Sequence, residues 1–452
     1  MVDTQGVNVT TVINESRISG YQWLILTISL LTAMFDGYDT QGIAYVAPVI
    51  AQDLGMNVAQ LGPIFGAGLV GLMLGAIFFG MLADKLGRKQ AIIWSVLVFS
   101  IFSILTPFGH SFQSLIVLRF LAGIGLGGAL PNTIAYVLEY SPLRMRGLLV
   151  NSPNAFFALG SIAGGILATK LIPAFGWQST FYVGGTVPLI FLLVIALWLP
   201  ESARFLLARG KPQERVAAIM RRIAPDRQFA PTTHFTLEPQ VSGITVKHLF
   251  TEGRAPATVL LWIAFFMNLF VLLYLINWMP TLLRQAGQPL QTAILLTVWY
   301  NIGGFLGGLA MGWIADRSGA PHTVLAVAYV GAALFIVVDA YSIDTLAILL
   351  PAIFLTGVSI NGGQASLNTI AATYYPTAIR ATGIGWALGV GRIGSILGPL
   401  MGGIFVGAGW AISAVILVNT IPAAIAAASI LLLRHRRGAE AASAAAGGAM
   451  PS

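Results

Sequence analysis

Residues 61–89 read LGPIFGAGLVGLMLGAIFFGMLADKLGRK: 23 residues from Leu61 to Ala83 carry no charge, then Asp84, Lys85, Arg88 and Lys89 fall within six positions. At 1.5 Å per residue such a run makes a helix of about 35 Å, enough for the roughly 30 Å hydrocarbon core of a bilayer. The rest of the chain repeats this pattern. Of its 452 residues 57% are hydrophobic and 9% charged, against about 25% charged in a soluble domain, and the mean hydropathy is +0.83. That excludes a water-soluble globular enzyme. Backbone groups in lipid must be satisfied internally, and barrel strands would read as short alternating segments, so the expectation is an all-α integral membrane protein. There is no cysteine, hence no disulfide framework, thiolate metal site or Cys nucleophile. The 51 glycines fall mostly inside the apolar runs, where small residues let membrane helices approach closely.

Breaks at Pro, Gly and charged clusters place spans at 21–50, 59–83, 90–108, 112–140, 146–171 and 178–200, then at 256–283, 290–315, 322–342, 346–373, 380–407 and 410–433. The chain thus divides into a polar segment 1–20, a six-helix bundle 21–200, a linker 201–255, a second six-helix bundle 256–437 and a disordered tail 438–452. Residues 1–20 lack a signal-peptide core, so the first span is expected to insert the protein. With both termini cytoplasmic, twenty of the 24 Lys and Arg lie inside; Lys170 and Arg284 lie outside, and Arg119 and Arg392 within spans. That asymmetry sets the orientation in the inner membrane. The net charge of +8 is therefore a topology signal, and no nucleic-acid partner is expected. In the linker, Val216, Ile219, Met220 and Ile223 oppose Arg215, Arg221 and Arg222, which predicts an amphipathic helix on the inner membrane surface within a segment that tethers the halves.

The halves are related. Phe120, Leu121 and Gly123 recur 234 positions later as Phe354, Leu355 and Gly357; Pro142 and Arg146 recur as Pro376 and Arg380; Gly160, Ser161, Ile162 and Gly164 recur as Gly394, Ser395, Ile396 and Gly398. Pseudo-symmetric halves predict a substrate site near the bilayer midplane and alternating access.

Gly80, Asp84, Lys85, Gly87, Arg88 and Lys89, with the partial copy Gly312, Asp316, Arg317 and Gly319, resemble the conserved loop of the major facilitator superfamily. The resemblance implies that these charges latch helix ends together, giving Asp84, Arg88, Asp316, Arg317, Arg146 and Arg380 gating roles. Ala320 stands where Arg88 would recur, so the second latch is incomplete. Asp36-Gly37-Tyr38-Asp39-Thr40, Arg119-Phe120-Leu121, Pro200-Glu201-Ser202-Ala203-Arg204-Phe205, Asn277-Trp278-Met279-Pro280-Thr281 and Gly391-Arg392-Ile393-Gly394 narrow the resemblance to the aromatic acid:proton symporters. It covers nearly the whole chain outside the termini and linker. Tyr38 and Asn277 depart from its usual residues, which bears on substrate rather than fold.

Asp36 and Asp39 share a helix face, Asp36 roughly 22 Å into a span that starts at Tyr21. Charges at such depth must pair or line a water-filled cavity. In the repeat Arg119 corresponds to Ile353 and Arg392 to Ala158, so packing symmetry requires neither. For the two arginines a structural role as partners of the Asp pair stands beside carboxylate binding. A substrate carboxylate on an Arg adds one negative charge that a proton on an Asp cancels, which makes symport the natural mechanism. All five His lie in loops or termini, leaving the Asp pair as proton carrier. An aromatic acid also needs an apolar slot with a few directional polar groups, for which Phe65, Asn151, Asn154, Asn268, Trp278, Tyr300, Asn301, Asn361, Gln364 and Trp386 are candidates, each individually weaker than packing as an explanation. Glu139 and Asp339, near span ends, are expected to cap helices or meet lipid headgroups.

The expectation is thus a twelve-helix secondary transporter, not an enzyme, acting as a monomer in the lipid bilayer. It would import small aromatic carboxylates of hydroxybenzoate type with protons, and use no cofactor or metal. Another organic anion, efflux by antiport and a non-transporting sensor are the alternatives; the missing Gly-Pro step after Gly160 weighs against efflux, and the deep Asp pair against a sensor.

Overall fold

The computed structural model describes residues 6–229, 233–237 and 246–447, without the side chains of residue 316 and of 436–447. Of the tail expected to be disordered, residues 438–447 continue the last helix (Thr420–Gly447), and 448–452 lie outside the described residues; the Asp316 carboxylate lies outside the described side chains. Among the described residues, eleven helices are long and apolar enough to cross a membrane, and twelve when α1 (Val9–Glu15) and α2 (Gly20–Asp53), bent by 99°, count as one span. The others are α3 (Leu61–Leu86), α4 (Arg88–Leu105), α5 (Phe112–Tyr140), α6 (Arg146–Phe175) and α7 (Gln178–Trp198), then α10 (Ala255–Gln285), α11 (Leu290–Ser318), α12 (Pro321–Tyr341), α13 (Leu346–Tyr374) and α14 (Arg380–Gly407), and finally α15 (Ile412–Leu417) with α16 (Thr420–Gly447). Two short helices, α8 (Ala203–Ala208) and α9 (Gln213–Ile223), follow α7 along the chain within the linker.

Contacts divide the chain into two compact units, residues 1–42 with 67–242 and residues 43–66 with 243–452. Each is held by the same glycine-dependent helix pairs. In the first unit Gly71 and Gly75 of α3 lie against the carbonyls of Phe120 and Ile124 in α5; in the second, Gly303 and Gly307 of α11 lie against those of Phe354 and Val358 in α13. Likewise Gly160 of α6 meets the Met34 carbonyl of α2, and Gly394 of α14 meets the Phe266 carbonyl of α10. A side chain at any of these positions would push the backbones apart, so the repeat is a repeat of close helix contacts. It also aligns Asp36 with Asn268, because α10 follows α2 at an offset of 232. Between α3 and α4 the chain turns on Gly87 alone, whose φ of 104° is open to glycine.

Residues of the linker fold onto the first unit. Strand β1 (Val7–Asn8) pairs in parallel with β2 (Phe235–Thr236). The amphipathic helix is present as α9, but its Val216, Ile219, Met220 and Ile223 are buried with Val9, Val12 and Ile13 of α1 and Leu206 of α8. Its apolar face is covered by protein, so the expectation of a helix lying on lipid is corrected, and this part of the linker is more than a tether.

Candidate functional site

The charges expected deep in the first unit meet. Asp39 of α2 is 1% exposed and Arg119 of α5 is 3% exposed; Arg119 Nη2 donates to Asp39 Oδ2 at 3.2 Å. The second carboxylate oxygen accepts from Ser103 Oγ of α4 at 2.5 Å. Arg119 Nη1 reaches Thr106 Oγ1 at 3.4 Å, and its guanidinium lies 5.1 Å from the centre of the Phe181 ring on α7. A buried charge is tolerated only when paired and hydrogen-bonded, and this pair has both, with a cation–π contact added. Neighbouring Asp36 is buried and its Oδ1 accepts from Thr40 Oγ1 at 3.1 Å. Tyr38, between the two acids, donates from its hydroxyl to the Thr180 carbonyl at 3.2 Å.

At the α3–α4 turn Asp84 and Arg88 pair at 3.2 Å, and Arg88 Nε also reaches Glu139 of α5 at 3.5 Å. Glu139 accepts from Ser202 Oγ as well, and Arg209 donates to the Asp84 carbonyl at 2.6 Å. Glu139 is therefore a partner in a protein network, which corrects its expected place among lipid headgroups or as a cap. Glu201 accepts from the backbone N–H of Lys89 at 3.2 Å and so satisfies a free donor in the first turn of α4. Arg146 is half-buried. The second copy is looser: Arg317 stacks on Trp313 at 5.5 Å, and exposed Arg380 reaches the Tyr375 carbonyl and Thr377 Oγ1, each at 3.4 Å.

In the second unit Asn268 Nδ2 donates to Gln364 Oε1 at 2.7 Å, and Gln364 Nε2 continues to Asn368 at 3.2 Å. Buried Asn268 Oδ1 has no hydrogen-bond partner. Asn301 Nδ2 donates to Tyr45 Oη at 3.3 Å. Trp278 is fully buried, bonded to the Pro399 carbonyl at 2.9 Å and edge-on to Phe65 at 5.7 Å. Trp386 stacks on Trp262 at 6.0 Å, and Asn361 packs against Gly304. Arg392 is half-buried on α14. Tyr300 is buried with its hydroxyl unbonded. Asn151 and Asn154 are exposed, and Asn151 donates its amide to the Gly147 carbonyl at 2.8 Å. Asp339 is buried against Thr356 and meets no headgroup, again a correction.

A sequence profile described as Major Facilitator Superfamily matches residues 29–298 and 261–450. The chain belongs to the Major Facilitator Superfamily. Among curated relatives of this transporter family, the chain is 39% identical over 419 residues to the 4-hydroxybenzoate transporter PcaK of Acinetobacter baylyi, covering 92% of each. It is also 39% identical to a gallate transporter of Pseudomonas putida, covering 93% of this chain and 94% of that one. The xylose transporter XylE from E. coli, solved in a partially occluded inward-open conformation, superposes with a TM-score of 0.69 at 16% identity over 92% of this chain and 96% of that one. The chain is thus an all-α membrane transporter with the twelve-helix major facilitator fold, and not an enzyme.

For a major facilitator protein the sequence signal for Asp39 and Arg119 is plain, because a charge in an apolar run has few reasons to be there. Ser103, Thr106 and Phe181 escaped it. Ser100 and Ser103 of α4 and Thr106, which caps its end, do recur at three-residue spacing, and that stripe is the available signal.

Proposed function

We propose that this transporter imports hydroxybenzoate-like aromatic carboxylates together with protons across the inner membrane, both termini being cytoplasmic. The observation that carries the reading is the buried Arg119–Asp39 pair, a guanidinium whose partner is itself titratable. A proton on Asp39 cancels one half of the pair and leaves Arg119 in need of an anion, which a substrate carboxylate supplies. Loading both keeps the region as neutral as it was. Loading either alone leaves a buried charge uncompensated, at a cost of roughly 3–5 kcal/mol. Proton and anion therefore favour each other's binding, which is what symport by alternating access requires. Asp36, one turn earlier, is the second proton carrier.

The aromatic carboxylate class is supported by the relatives' names, a 4-hydroxybenzoate transporter and a gallate transporter. Half-buried Arg392 is the second proposed carboxylate contact. The unused Asn268 Oδ1 with Gln364 is suited to accept a bond from a ring hydroxyl. The Asp84–Arg88–Glu139 network is the proposed latch of the conformational cycle.

The test is uptake of labelled 4-hydroxybenzoate into proteoliposomes under an inward proton gradient. Accumulation should be abolished by protonophore, be competed by other benzoates rather than aliphatic acids, and be lost in Asp39→Asn with substrate exchange retained. Accumulation insensitive to protonophore would reject proton coupling; binding without accumulation would identify a sensor.

A further inference from the structure

Asp339 lies on α12, two residues before its end, and is 4% exposed. Its Oδ2 accepts from Thr356 Oγ1 of α13 at 2.7 Å, whereas Oδ1 has no hydrogen-bond partner. No Lys, Arg or His forms an ion pair with it among the described residues.

The elements packed against α12 are α11, α13, α15 and α16. From α11 comes Tyr300, fully buried, within electrostatic reach of Asp339, its hydroxyl likewise without a hydrogen bond. The other charges of α11, Asp316 and Arg317, lie more than four turns further along. The sequences of α13, of α15 and of α16 as far as Leu433 contain no Asp, Glu, Lys, Arg or His. On α12 itself His322, in the first helical turn and not in a loop as expected, and Tyr329 are distant, Tyr341 is exposed, and the next acid, Asp344, is exposed in the following connection.

The place is informative. In the first unit the junction of α4 and α5 holds Ser103 and Thr106 around Arg119 and Asp39. The 234-residue offset carries Thr106 to Ala340 and Arg119 to Ile353. The second unit thus keeps a polar niche at the corresponding helix junction but supplies an acid and no base. Ionised, that acid would lose its hydration with one hydroxyl as compensation and no base to balance it; protonated, it carries no charge and its hydroxyl can donate.

We propose that Asp339 is a further proton-binding carboxyl of the transport cycle, beyond Asp39 and Asp36, held in the second unit by Thr356. This rests on the proton-coupled reading above, so the experiment must separate the two. Wild type, Asp339→Asn and Thr356→Val are compared in proteoliposomes for protonophore-sensitive accumulation of 4-hydroxybenzoate, for its counterflow, and for the pH profile of uptake. Infrared difference spectra between acid and alkaline pH report protonated carboxyls directly. Asp339→Asn should lower accumulation about tenfold, the scale of a typical coupling energy, with counterflow within twofold of wild type. It should also remove one protonated-carboxyl band. Thr356→Val, which keeps the acid, should move the pH midpoint of uptake without abolishing it, a response that a purely structural role would not give.

Wild-type accumulation in Asp339→Asn, or an unchanged carboxyl spectrum, would overturn the proposal while the coupled reading stands. Absence of protonophore-sensitive accumulation in the wild type would reject the coupled reading, and with it the place of Asp339 in the cycle. If Asp339→Asn fails to fold, the Thr356→Val pH profile decides: a shifted midpoint supports the site, and an unshifted one overturns it.

Discussion

Arg119 and Asp39 form a pair that neither can leave without cost. Removing one partner strands the other charge where it has little water, a loss of about 3–5 kcal/mol, whereas replacing both by uncharged groups of similar size is often nearly neutral. Asp39→Asn and Arg119→Met should therefore each lower the melting temperature in detergent, while the double variant regains most of that loss. Accumulation should stay absent in all three. A double variant no more stable than the singles would mean that the pair is not the interaction that the singles break. Glu201 offers a separate check. Burial pushes its carboxyl above the ordinary 4.5, partly opposed by the N–H bonds from Ser202 and Lys89. From pH 4.5 upward to that raised value the folded state holds more proton than the unfolded one, so stability attributable to this group falls as pH rises. Wild type should lose stability relative to Glu201→Gln across that window, measured by melting at each pH; a constant difference would remove Glu201 as the cause.

Helix pairs explain why so much glycine is spent in the apolar runs. In α14, Gly394 lies against the Phe266 carbonyl, whereas Gly389 in the same helix has open space around it. Gly394→Ala should destabilise by about 1–3 kcal/mol through overpacking, and Gly389→Ala should be neutral or gain up to about 1 kcal/mol from helix propensity. Thermal melts of the two variants check this, and equal shifts would contradict the close contact. Elements were the most legible level in the sequence, because apolar length and charged breaks decide where a helix can cross. Facing was less so. The place of Asp339 near a span end suggests a cap or a headgroup contact, but distance along a helix says nothing about which side it presents. Ser103 and Thr106 were hidden by their chemistry: such hydroxyls in membrane helices ordinarily bond their own preceding turn, as Ser29 does with the Ile25 carbonyl and Thr106 itself with that of Phe102. Only the fold shows that Thr106 also faces Arg119.

At the scale of the molecule, the N-terminal segment and the linker are joined to the membrane helices by apolar contact more than by charge. Val9, Val12 and Ile13 of α1 close over Val216, Ile219, Met220 and Ile223 of α9, and Ile25 and Ile28 of α2 extend the same cluster. The polar links around it are Arg227 with Glu15 at 2.8 Å, Arg144 with the carbonyls of Asn14 and Ser16, and Arg204 with Thr10. Both members of the Arg227–Glu15 pair are substantially exposed, and an exposed pair contributes about 0–1 kcal/mol. Each fully buried Val or Ile contributes roughly 1.5–3 kcal/mol. The apolar term therefore dominates. Glu15→Gln should leave the melting temperature within error, while Val12→Asp should open the assembly of α1, α8 and α9 locally and expose 203–229 to limited proteolysis, with the membrane helices still folded. Val12→Ala should fall between them. Equal protease resistance of Val12→Asp and wild type would show that α1 does not hold α9 in place, and a marked loss in Glu15→Gln would show that the ranking of charge below burial is inverted here.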